Sequence, residues 1–345
     1  MGKRLLNAIE FVRRNLAYLI PFALIVGLIN GHYHPMAYSR VICVSALLIM
    51  IFPVFINIEF GKGIKELPKF KGILLLATIV NFVLYPLIAF GLGWLFLREY
   101  PAMWLGLVML SLVPTSGMTI NWTYFTKGHM HVAMGIVSIG ILVSVVVLPI
   151  IIPVFAQHLM GAENINVSKM VILEKLFFII VLPLIFGSFV RRLILKHKGV
   201  EGFKRVKPVN GGISAVGVMV VSFLVMSLKS TQVMVTNANV IFIALVPVLI
   251  FYAVIFLISH GLGHMLFDHE SRKAFFFGTA ARYHVISLGV VLGAFKDYDF
   301  IGGVVIMIAV GLAVQIPALA FYAKWIQGKT PIKLEEEIDR EEEFI

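Results

Sequence analysis

The sequence predicts an all-α polytopic membrane protein whose ten transmembrane helices form two inverted repeats of five. Three observations support this fold class. Of the 345 residues 60% are hydrophobic and 14% are charged. The mean hydropathy is +0.96, and apolar runs of roughly 18 residues or more recur, each long enough to cross a hydrocarbon core of about 30 Å. The predicted spans are residues 16–32, 38–58, 71–97, 102–126, 130–158, 172–194, 210–228, 238–263, 272–296 and 300–325.

The distribution of basic residues orients these spans. No small-residue cleavage site follows the basic segment MGKRLLNAIEFVRRN, so the first span is expected to remain in the mature protein. Lysine and arginine fall mainly on alternate loops, which predicts cytoplasmic N- and C-termini. The expected location is the plasma membrane. The net charge of +11 and the basic stripe at 191–207 therefore indicate anionic lipid headgroups at the cytoplasmic face, and no nucleic acid, as the partner.

Similar features recur roughly 165 residues apart, as in the internal repeats of secondary transporters. The third and eighth spans begin near Lys71 and Ala238, and polar interruptions centre on Pro114 and Thr279. The non-helical pieces are expected at residues 114–117 and 278–282, and the two interrupted spans are expected to cross at membrane mid-depth. The polar loop GAENINVSK leaves five spans on either side, and because five is odd the second half is predicted to be inverted. The expected divisions are two five-helix repeats and an acidic cytoplasmic tail, at residues 1–158, 159–330 and 331–345.

The fourth span is interrupted by the polar stretch VPTSGMTINWTYFTKGH. Backbone groups freed by a break in lipid cost several kcal/mol each unless protein, water or substrate satisfies them. Proline removes a donor, glycine permits an unwound turn, and the neighbouring hydroxyls and amide offer ligands. A substrate or ion site is therefore predicted here. A structural proline kink is the alternative, and the matched interruption FFFGTAARYHVISLGVV in the ninth span disfavours it.

These residues carry a resemblance to the bile acid:sodium symporter family. VPTSGMTINWTYFTKGH is similar to the fourth-span crossover of that family, with a proline, small residues, hydroxyls and an asparagine, then Thr-Tyr and basic-Gly pairs. NFVLYPLIAFGLGWLFL resembles the third span of that family and of its arsenite-efflux relatives, with Asn81 at the amide position and Pro86 following. GTAARYHVISLGVVLG extends the likeness, which covers essentially the whole chain.

The resemblance implies a secondary active transporter of a small organic anion, with its site where the broken fourth and ninth spans cross. No signature of a phosphate-binding loop, a GxSxG hydrolase or a zinc protease is found, so neither an enzyme nor a cofactor is expected. The expected substrate ligands are Thr115, Ser116, Asn121, Arg282, His284 and Ser287. The expected ion ligands are Asn81, Thr119, Thr123 and Ser138.

Departures from the family pattern bear on cargo and coupling. The arsenite branch uses a fourth-span cysteine where this chain has Thr115, and a hydroxyl does not replace a soft thiolate for arsenic(III). The sodium symporters use a ninth-span carboxylate, but no Asp or Glu lies between Glu270 and Asp297. Their fifth-span hydroxyl positions align with Ala133 and Val137, next to Ser138. A proton, or no coupling ion at all, is therefore favoured over sodium.

Arg282 stands where the family's carboxylate is expected, and an ionised side chain inside a span is by default functional. It could grip a carboxylate, sulfonate or phosphate through its planar fork, or pair with a protein carboxylate such as Glu59 and brace the bundle. His284 could relay a proton or remain a neutral hydrogen-bonded group. Two alternative functions stay open: efflux of arsenite-like or other inorganic anions, and a non-transporting membrane sensor with the same fold.

Two further features have structural interpretations. His260, His264 and Asp268 share one helix face at i, i+4 and i+8, a spacing that can hold a metal. They are expected at a headgroup boundary, where polar side chains are ordinary, so no metal site is assigned. The single cysteine, Cys43, is interpreted as a small hydrophobe.

Overall fold

The computed structural model describes residues 11–12, 15–33, 40–57, 68–160, 169–236, 240–295 and 300–327, and these are almost entirely helical. Five helices in this part of the chain are long and apolar enough to cross a membrane: Lys71–Phe96, Met130–Leu159, Phe177–Lys207, Ile241–Leu266 and Ile301–Gln327. The predicted class, an all-α polytopic membrane protein, is confirmed. The count of ten spans and the division at residue 158 stay predictions, and the acidic tail lies outside the described residues.

Twelve helices are named here in chain order within the described ranges. They are α1 Leu16–Tyr33, α2 Arg40–Asn57, α3 Lys71–Phe96, α4 Pro101–Leu112, α5 Met118–Phe125, α6 Met130–Met160, α7 Lys169–Leu176, α8 Leu182–Thr236, α9 Val240–Leu266, α10 His269–Ala280, α11 His284–Ala294 and α12 Ile301–Gln327. A π-helical turn at Val80–Leu84 lies inside α3. A second, at Phe177–Val181, joins α7 to α8, and α8 kinks at Gly199, whose φ is 64°.

The fourth and ninth predicted spans are each two helices. The fourth is α4 followed by α5, and the ninth is α10 followed by α11. Around them α12 packs along α4, α6 packs against α4 and α10, and α9 packs against α10 and α12. The two interruptions therefore lie inside the bundle, surrounded by long apolar helices.

Small residues allow the close helix packing around the interruptions. A Cβ atom built on Gly106 of α4 would lie 2.7 Å from Met307 Cβ and 2.9 Å from Val304 O on α12. Close backbone approach of this kind is how helices associate where lipid supplies no hydrophobic drive. Large apolar side chains on the outer faces remain exposed, Leu257 and Phe321 among them, as expected for surfaces that contact acyl chains.

Candidate functional site

The two helix interruptions contact each other directly through their backbones. Thr115 and Arg282 form an isolated antiparallel bridge. The Ser116 N–H donates to Ala281 O at 2.8 Å, and the Tyr283 N–H donates to Pro114 O at 3.0 Å. Each break therefore satisfies backbone groups that the other leaves free, which meets the requirement that breaks inside a membrane protein be compensated by protein.

The first interruption begins where the sequence predicts it. A proline disfavours α conformation in the residue before it, and Val113 is extended, with φ −64° and ψ 150°, so α4 ends at Leu112. Two hydroxyls then reach across to the end of α10. Thr115 Oγ1 donates to Ala281 O at 3.0 Å and Thr119 Oγ1 donates to Phe277 O at 3.0 Å. These bonds add side-chain donors to two carbonyls that also accept main-chain N–H groups, Ala281 O from Ser116 and Phe277 O from Ala281.

The second interruption is shorter than predicted. Its expected non-helical piece ran from Gly278 to Arg282, but α10 continues to Ala280 and only residues 281–283 are non-helical. Gly278 has a packing role instead. A Cβ atom there would lie 2.7 Å from Cδ1 and 2.9 Å from Cγ2 of Ile136 on α6, so the glycine lets α10 approach that helix.

Gln315 of α12 holds the backbone of the second interruption. Its Oε1 accepts the Arg282 N–H at 2.6 Å, and its Nε2 donates to Arg282 O at 3.0 Å. The side-chain amide thus satisfies both main-chain groups of a residue that lies outside any helix. Sequence reasoning missed Gln315, although a polar residue inside an apolar span is itself a signal.

The Arg282 side chain is buried, with 1% of its surface exposed. Its Nη1 donates to Asn81 Oδ1 at 2.5 Å and to Thr279 O at 3.4 Å. Its Nη2 donates to Asn81 O at 3.2 Å, to Val113 O at 2.6 Å and to Ser111 O. All five acceptors are neutral oxygens, and the guanidinium carbon lies 5.8 Å from the centroid of the Tyr85 ring.

The charge of Arg282 is therefore held by dipoles in the described part of the chain. Three of its acceptors belong to helix C-terminal ends, Ser111 and Val113 at the end of α4 and Thr279 near the end of α10. Such ends carry unpaired carbonyls and the negative pole of the helix dipole. Glu59, the carboxylate considered as a partner, lies outside the described residues.

His284 takes part in a hydrogen-bonded chain that leads back to Gln315. Tyr252 Oη lies 2.6 Å from His284 Nε2 and donates to Gln315 Oε1 at 3.1 Å. A hydroxyl has one proton and Gln Oε1 can only accept, so His284 Nε2 is assigned as the donor to Tyr252. In the neutral imidazole this leaves His284 Nδ1 as an acceptor.

Three consecutive residues at the crossing carry buried polar atoms without a hydrogen-bond partner among the described residues. These atoms are Arg282 Nε, Tyr283 Oη and His284 Nδ1. Buried polar groups in folded proteins are nearly always paired, so each exception requires an explanation. A water molecule or a bound ligand at the interruption would supply the missing partners.

The remaining expected ligands divide into buried and exposed residues. Thr115, Ser116, Thr119 and Ser287 are buried at the crossing, and Ser287 Oγ donates to Met109 O at 3.3 Å. Asn81 Nδ2 donates to Gly278 O at 3.1 Å, so this amide links α3 to α10 as well as to Arg282. The hydroxyls of Thr123 and Ser138 are buried and find no partner in the described ranges. Asn121 is exposed on α5 and is not brought into the buried group.

The histidine cluster lies away from this crossing. The rings of His260 and His264 are 4.0 Å apart, and His260 Nδ1 lies 2.7 Å from Tyr322 Oη. Asp268 instead caps α10, accepting the N–H groups of Glu270 and Ser271. Within the described residues no three His, Cys, Asp or Glu side chains come together as a metal site. A cavity of about 150 Å³ at this end is lined mainly by basic and aromatic residues: His260, His264, His269, Arg272, Lys273, Tyr322 and Trp325, with Ile326.

Comparisons with known proteins connect this geometry to transport. Residues 44–236 match the model of the sodium bile acid symporter family. The arsenical-resistance protein Acr3 of Alkaliphilus metalliredigens (strain QYMF) is 24% identical over 341 residues, 92% of this chain and 93% of that protein. The uncharacterized transporter slr0944 of Synechocystis sp. is 24% identical over 296 residues, 79% of this chain and 74% of that protein. The Acr3 protein of Corynebacterium glutamicum is 24% identical over 219 residues, 62% of this chain and 59% of that protein.

Proposed function

Because the chain belongs to the sodium bile acid symporter family, a family of membrane transporters, we propose that it moves a small organic anion across the plasma membrane by secondary active transport. The substrate binds where the two interrupted helices meet, and both termini are cytoplasmic. Internal repeats with broken helices at their interface are the usual setting for such a site. The proposal thus places the cargo beside Thr115 and Arg282.

The observation that carries this proposal is the buried guanidinium of Arg282. Each of its described hydrogen bonds goes to a neutral oxygen. None of these described partners is a carboxylate, so an anion beside Arg282 would meet the positive charge of the guanidinium, lessened by the helix-end carbonyls around it. Two opposite unit charges about 4 Å apart attract by about 4 kcal/mol at an effective dielectric of about 20. That is roughly a thousandfold in affinity, enough to select anions over neutral molecules of the same shape.

The polar atoms that would receive the anion are those without a partner. Arg282 Nε and Tyr283 Oη offer donors, and His284 Nδ1 becomes a donor when it binds a proton. In the described conformation both Nη groups are engaged by protein oxygens, so the planar fork is released only if the crossing rearranges. Thr115, Ser116 and Ser287 line the same buried region. Asn121 would join only from the exposed side of α5.

We also propose that a proton, and not sodium, couples to transport. Asn81 and Thr119, both expected as ion ligands, are already bonded to Arg282 and to the end of α10. A sodium ion would need those oxygens and would meet a like charge beside them. His284 Nδ1 is buried and unpaired among the described residues, which makes it the candidate carrier of the proton.

Transport of an inorganic anion is the second candidate, and the names of two relatives favour it. Both are called arsenical-resistance proteins, and one is similar over 92% of this chain. Against an arsenic(III) thiolate site, Thr115 Oγ1 is hydrogen-bonded to Ala281 O and Thr119 Oγ1, and the single cysteine is Cys43 in α2. An inorganic cargo would therefore be an oxyanion held by hydroxyl, amide and guanidinium groups.

A thermal-shift screen followed by counterflow tests the proposal. Purified protein is screened against carboxylates, sulfonates and phosphates, and against arsenite and arsenate, because a ligand of the native state stabilises it. Anions that raise the melting temperature are loaded into proteoliposomes for exchange of labelled substrate. We expect an organic anion to stabilise and to exchange. Stabilisation by arsenite or arsenate alone would favour the inorganic cargo, and binding without exchange would identify a sensor.

A further inference from the structure

The oxygens around Arg282 have the composition of a monovalent-cation site. Asn81 supplies its main-chain carbonyl and its side-chain Oδ1, and Ser111, Val113 and Thr279 supply main-chain carbonyls. Unwound backbone carbonyls and the C-terminal ends of half-helices are the groups that coordinate Na⁺ in transporters with broken helices. The face of the Tyr85 ring, 5.8 Å from the guanidinium carbon, is a further group that attracts cations.

Two helix C-terminal ends point their unpaired carbonyls at this one place. α4 ends at Leu112 and contributes Ser111 O and Val113 O, and α10 ends at Ala280 and contributes Thr279 O. Each helix end is equivalent to roughly half a negative charge. Two such ends that converge in a buried region repel each other unless a positive charge lies between them. The crossing therefore requires a cation for its own stability.

We propose that this oxygen cradle is a monovalent-cation site that the protein fills with its own guanidinium, so that Arg282 serves as a tethered cation. The cradle is defined by the acceptor oxygens of Asn81, Ser111, Val113 and Thr279. The cradle itself does not depend on the proposed function. Its consequence for transport does: the wild type would bind its anion without a free cation. The ligand class of the vacated site is a small monovalent cation: Li⁺, Na⁺, K⁺ or guanidinium.

A free cation does not share the cradle with Arg282. Two positive charges about 4 Å apart at an effective dielectric of about 20 weaken binding roughly a thousandfold. The five acceptors are also engaged by Nη1 and Nη2 of Arg282. The wild-type protein should therefore be indifferent to the identity of the monovalent cation, and a variant without the guanidinium should depend on it.

The decisive experiment is thermal unfolding of purified Arg282→Ala without substrate. Melting curves are recorded in detergent with lithium, sodium, potassium, guanidinium at millimolar concentration, or N-methylglucamine chloride at matched ionic strength. We expect the wild type to melt at one temperature in all of them. The variant should melt lower in N-methylglucamine and recover in at least one small cation, with about a hundredfold decrease in its unfolding constant when that cation is at about 100 times its Kd.

Two variants serve as controls. Arg98→Ala removes an exposed arginine that packs on Trp94 with its guanidinium carbon 3.8 Å from the ring centroid, so its melting temperature should not respond to the cation. Asn81→Ala combined with Arg282→Ala removes one oxygen of the cradle, Oδ1, and should weaken the cation effect. A general salt effect on the bundle would instead stabilise all four proteins alike and would overturn the proposal.

Arg282→Lys covers the case in which Arg282→Ala does not fold. Lysine supplies a positive charge without the planar fork. A folded, cation-indifferent Arg282→Lys beside an unfolded Arg282→Ala supports a cradle that needs positive charge. Failure of both variants in every cation, guanidinium included, would mean that no free cation replaces the Arg282 side chain, and would overturn the proposal. An Arg282→Ala protein as stable as the wild type in N-methylglucamine would do the same.

Proteoliposomes separate this inference from the proposed function. Anion exchange by Arg282→Ala should require the stabilising cation, whereas exchange by the wild type should not. Cation-dependent melting with no anion exchange in either protein would leave the cradle intact and reject the transport proposal. Exchange by the wild type with cation-independent melting of Arg282→Ala would reject the cradle and leave transport intact.

Discussion

Gln315 holds Arg282 by both of its main-chain polar groups, accepting the N–H at 2.6 Å and donating to the carbonyl at 3.0 Å. A backbone segment outside any helix normally finds such a pair of bonds in a neighbouring strand. Here one side chain of α12 supplies them and also accepts the Tyr252 hydroxyl. The position of the guanidinium and the hydrogen bond of His284 therefore both depend on this amide.

Removal of the amide should destabilise the protein. Gln315→Leu leaves the buried N–H and carbonyl of Arg282 unpaired, and each unsatisfied group costs about 1–3 kcal/mol. We expect the free energy of unfolding to fall by roughly 2–5 kcal/mol, measured as a lower melting temperature in detergent. Gln327→Leu is the matched control, because Gln327 lies at the end of α12 and donates to Phe125 O, away from the crossing. Equal decreases in melting temperature for the two substitutions would show that the pair of hydrogen bonds from Gln315 to the Arg282 backbone does not stabilise the protein.

Gly278 should tolerate no larger side chain while its neighbour is isoleucine. A Cβ atom at this position would lie 2.7 Å and 2.9 Å from atoms of the Ile136 side chain. We expect Gly278→Val to cost about 1–3 kcal/mol, the usual range for overpacking, and Ile136→Ala in the same protein to relieve it. Gly261→Val is the control, since no heavy atom lies within 4 Å of a Cβ built there. A double variant no more stable than Gly278→Val would place the cause elsewhere.

The two interruptions differ in how well the local sequence predicts where the helix breaks. The break after Leu112 is marked by Pro114, whose effect on the residue before it is steric and local. The break at residues 281–283 contains neither proline nor glycine. Its backbone is extended because Gln315 and the first interruption supply its hydrogen bonds. That cause is tertiary, so the sequence indicated the region and misplaced its beginning.

The importance of Arg282 is predictable from the sequence, whereas its hydrogen-bond partners depend on the tertiary structure. A charged residue inside an apolar span is visible in the sequence, and its position predicts a functional role. The predicted partner is an anionic ligand or a protein carboxylate, because both carry the opposite charge and a carboxylate side chain can be identified in the sequence. Backbone carbonyls such as Ser111 O and Val113 O leave no mark in the sequence. Only the fold brings them to the guanidinium.

Capping of α10 should make stability depend on pH near the ordinary titration of a carboxylate. Partial burial raises the pKa of Asp268, but the hydrogen bonds from Ser271 and Glu270 outweigh it and hold the pKa below its usual value of 3.8. A carboxylate whose pKa is lower in the folded state stabilises the fold above the unfolded pKa, and this contribution is lost as the pH falls through the folded pKa.

Asp268→Ala should therefore melt below the wild type at neutral pH, and the difference should narrow below about pH 4. Asp268→Asn is the control, because asparagine caps a helix without titrating. The melting temperature of Asp268→Asn at neutral pH should be close to that of the wild type. A difference between wild type and Asp268→Ala that stays constant from pH 7 to pH 3 would show that the cap does not act through its charge.

Substrate binding should follow the charge at position 282. Without a stabilising cation, Arg282→Ala should lose affinity for the anionic substrate by about a thousandfold. Arg282→Lys should recover part of it, because lysine keeps the charge but not the planar fork. Binding is measured by thermal shift or by equilibrium binding of labelled substrate, after monodisperse folded protein is confirmed. Normal affinity of a folded Arg282→Ala in N-methylglucamine would remove Arg282 from the substrate site.

Transport by the wild type should respond to a pH gradient and not to a sodium gradient. The ninth span has no carboxylate between Glu270 and Asp297, and Asn81, a predicted ion ligand, is bonded to Arg282 Nη1 at 2.5 Å. A sodium ion about 5 Å from that charge loses roughly 3 kcal/mol at an effective dielectric of about 20, or about a hundredfold in affinity. Uptake into proteoliposomes is measured with an imposed sodium gradient, and separately with a pH gradient at constant sodium.

His284→Gln, which keeps a side chain able to reach Tyr252 but cannot carry a proton, should abolish the response to pH while binding of the anion remains measurable. Strong stimulation by sodium alone, in the wild type, would show that the oxygens around Arg282 accept a second cation.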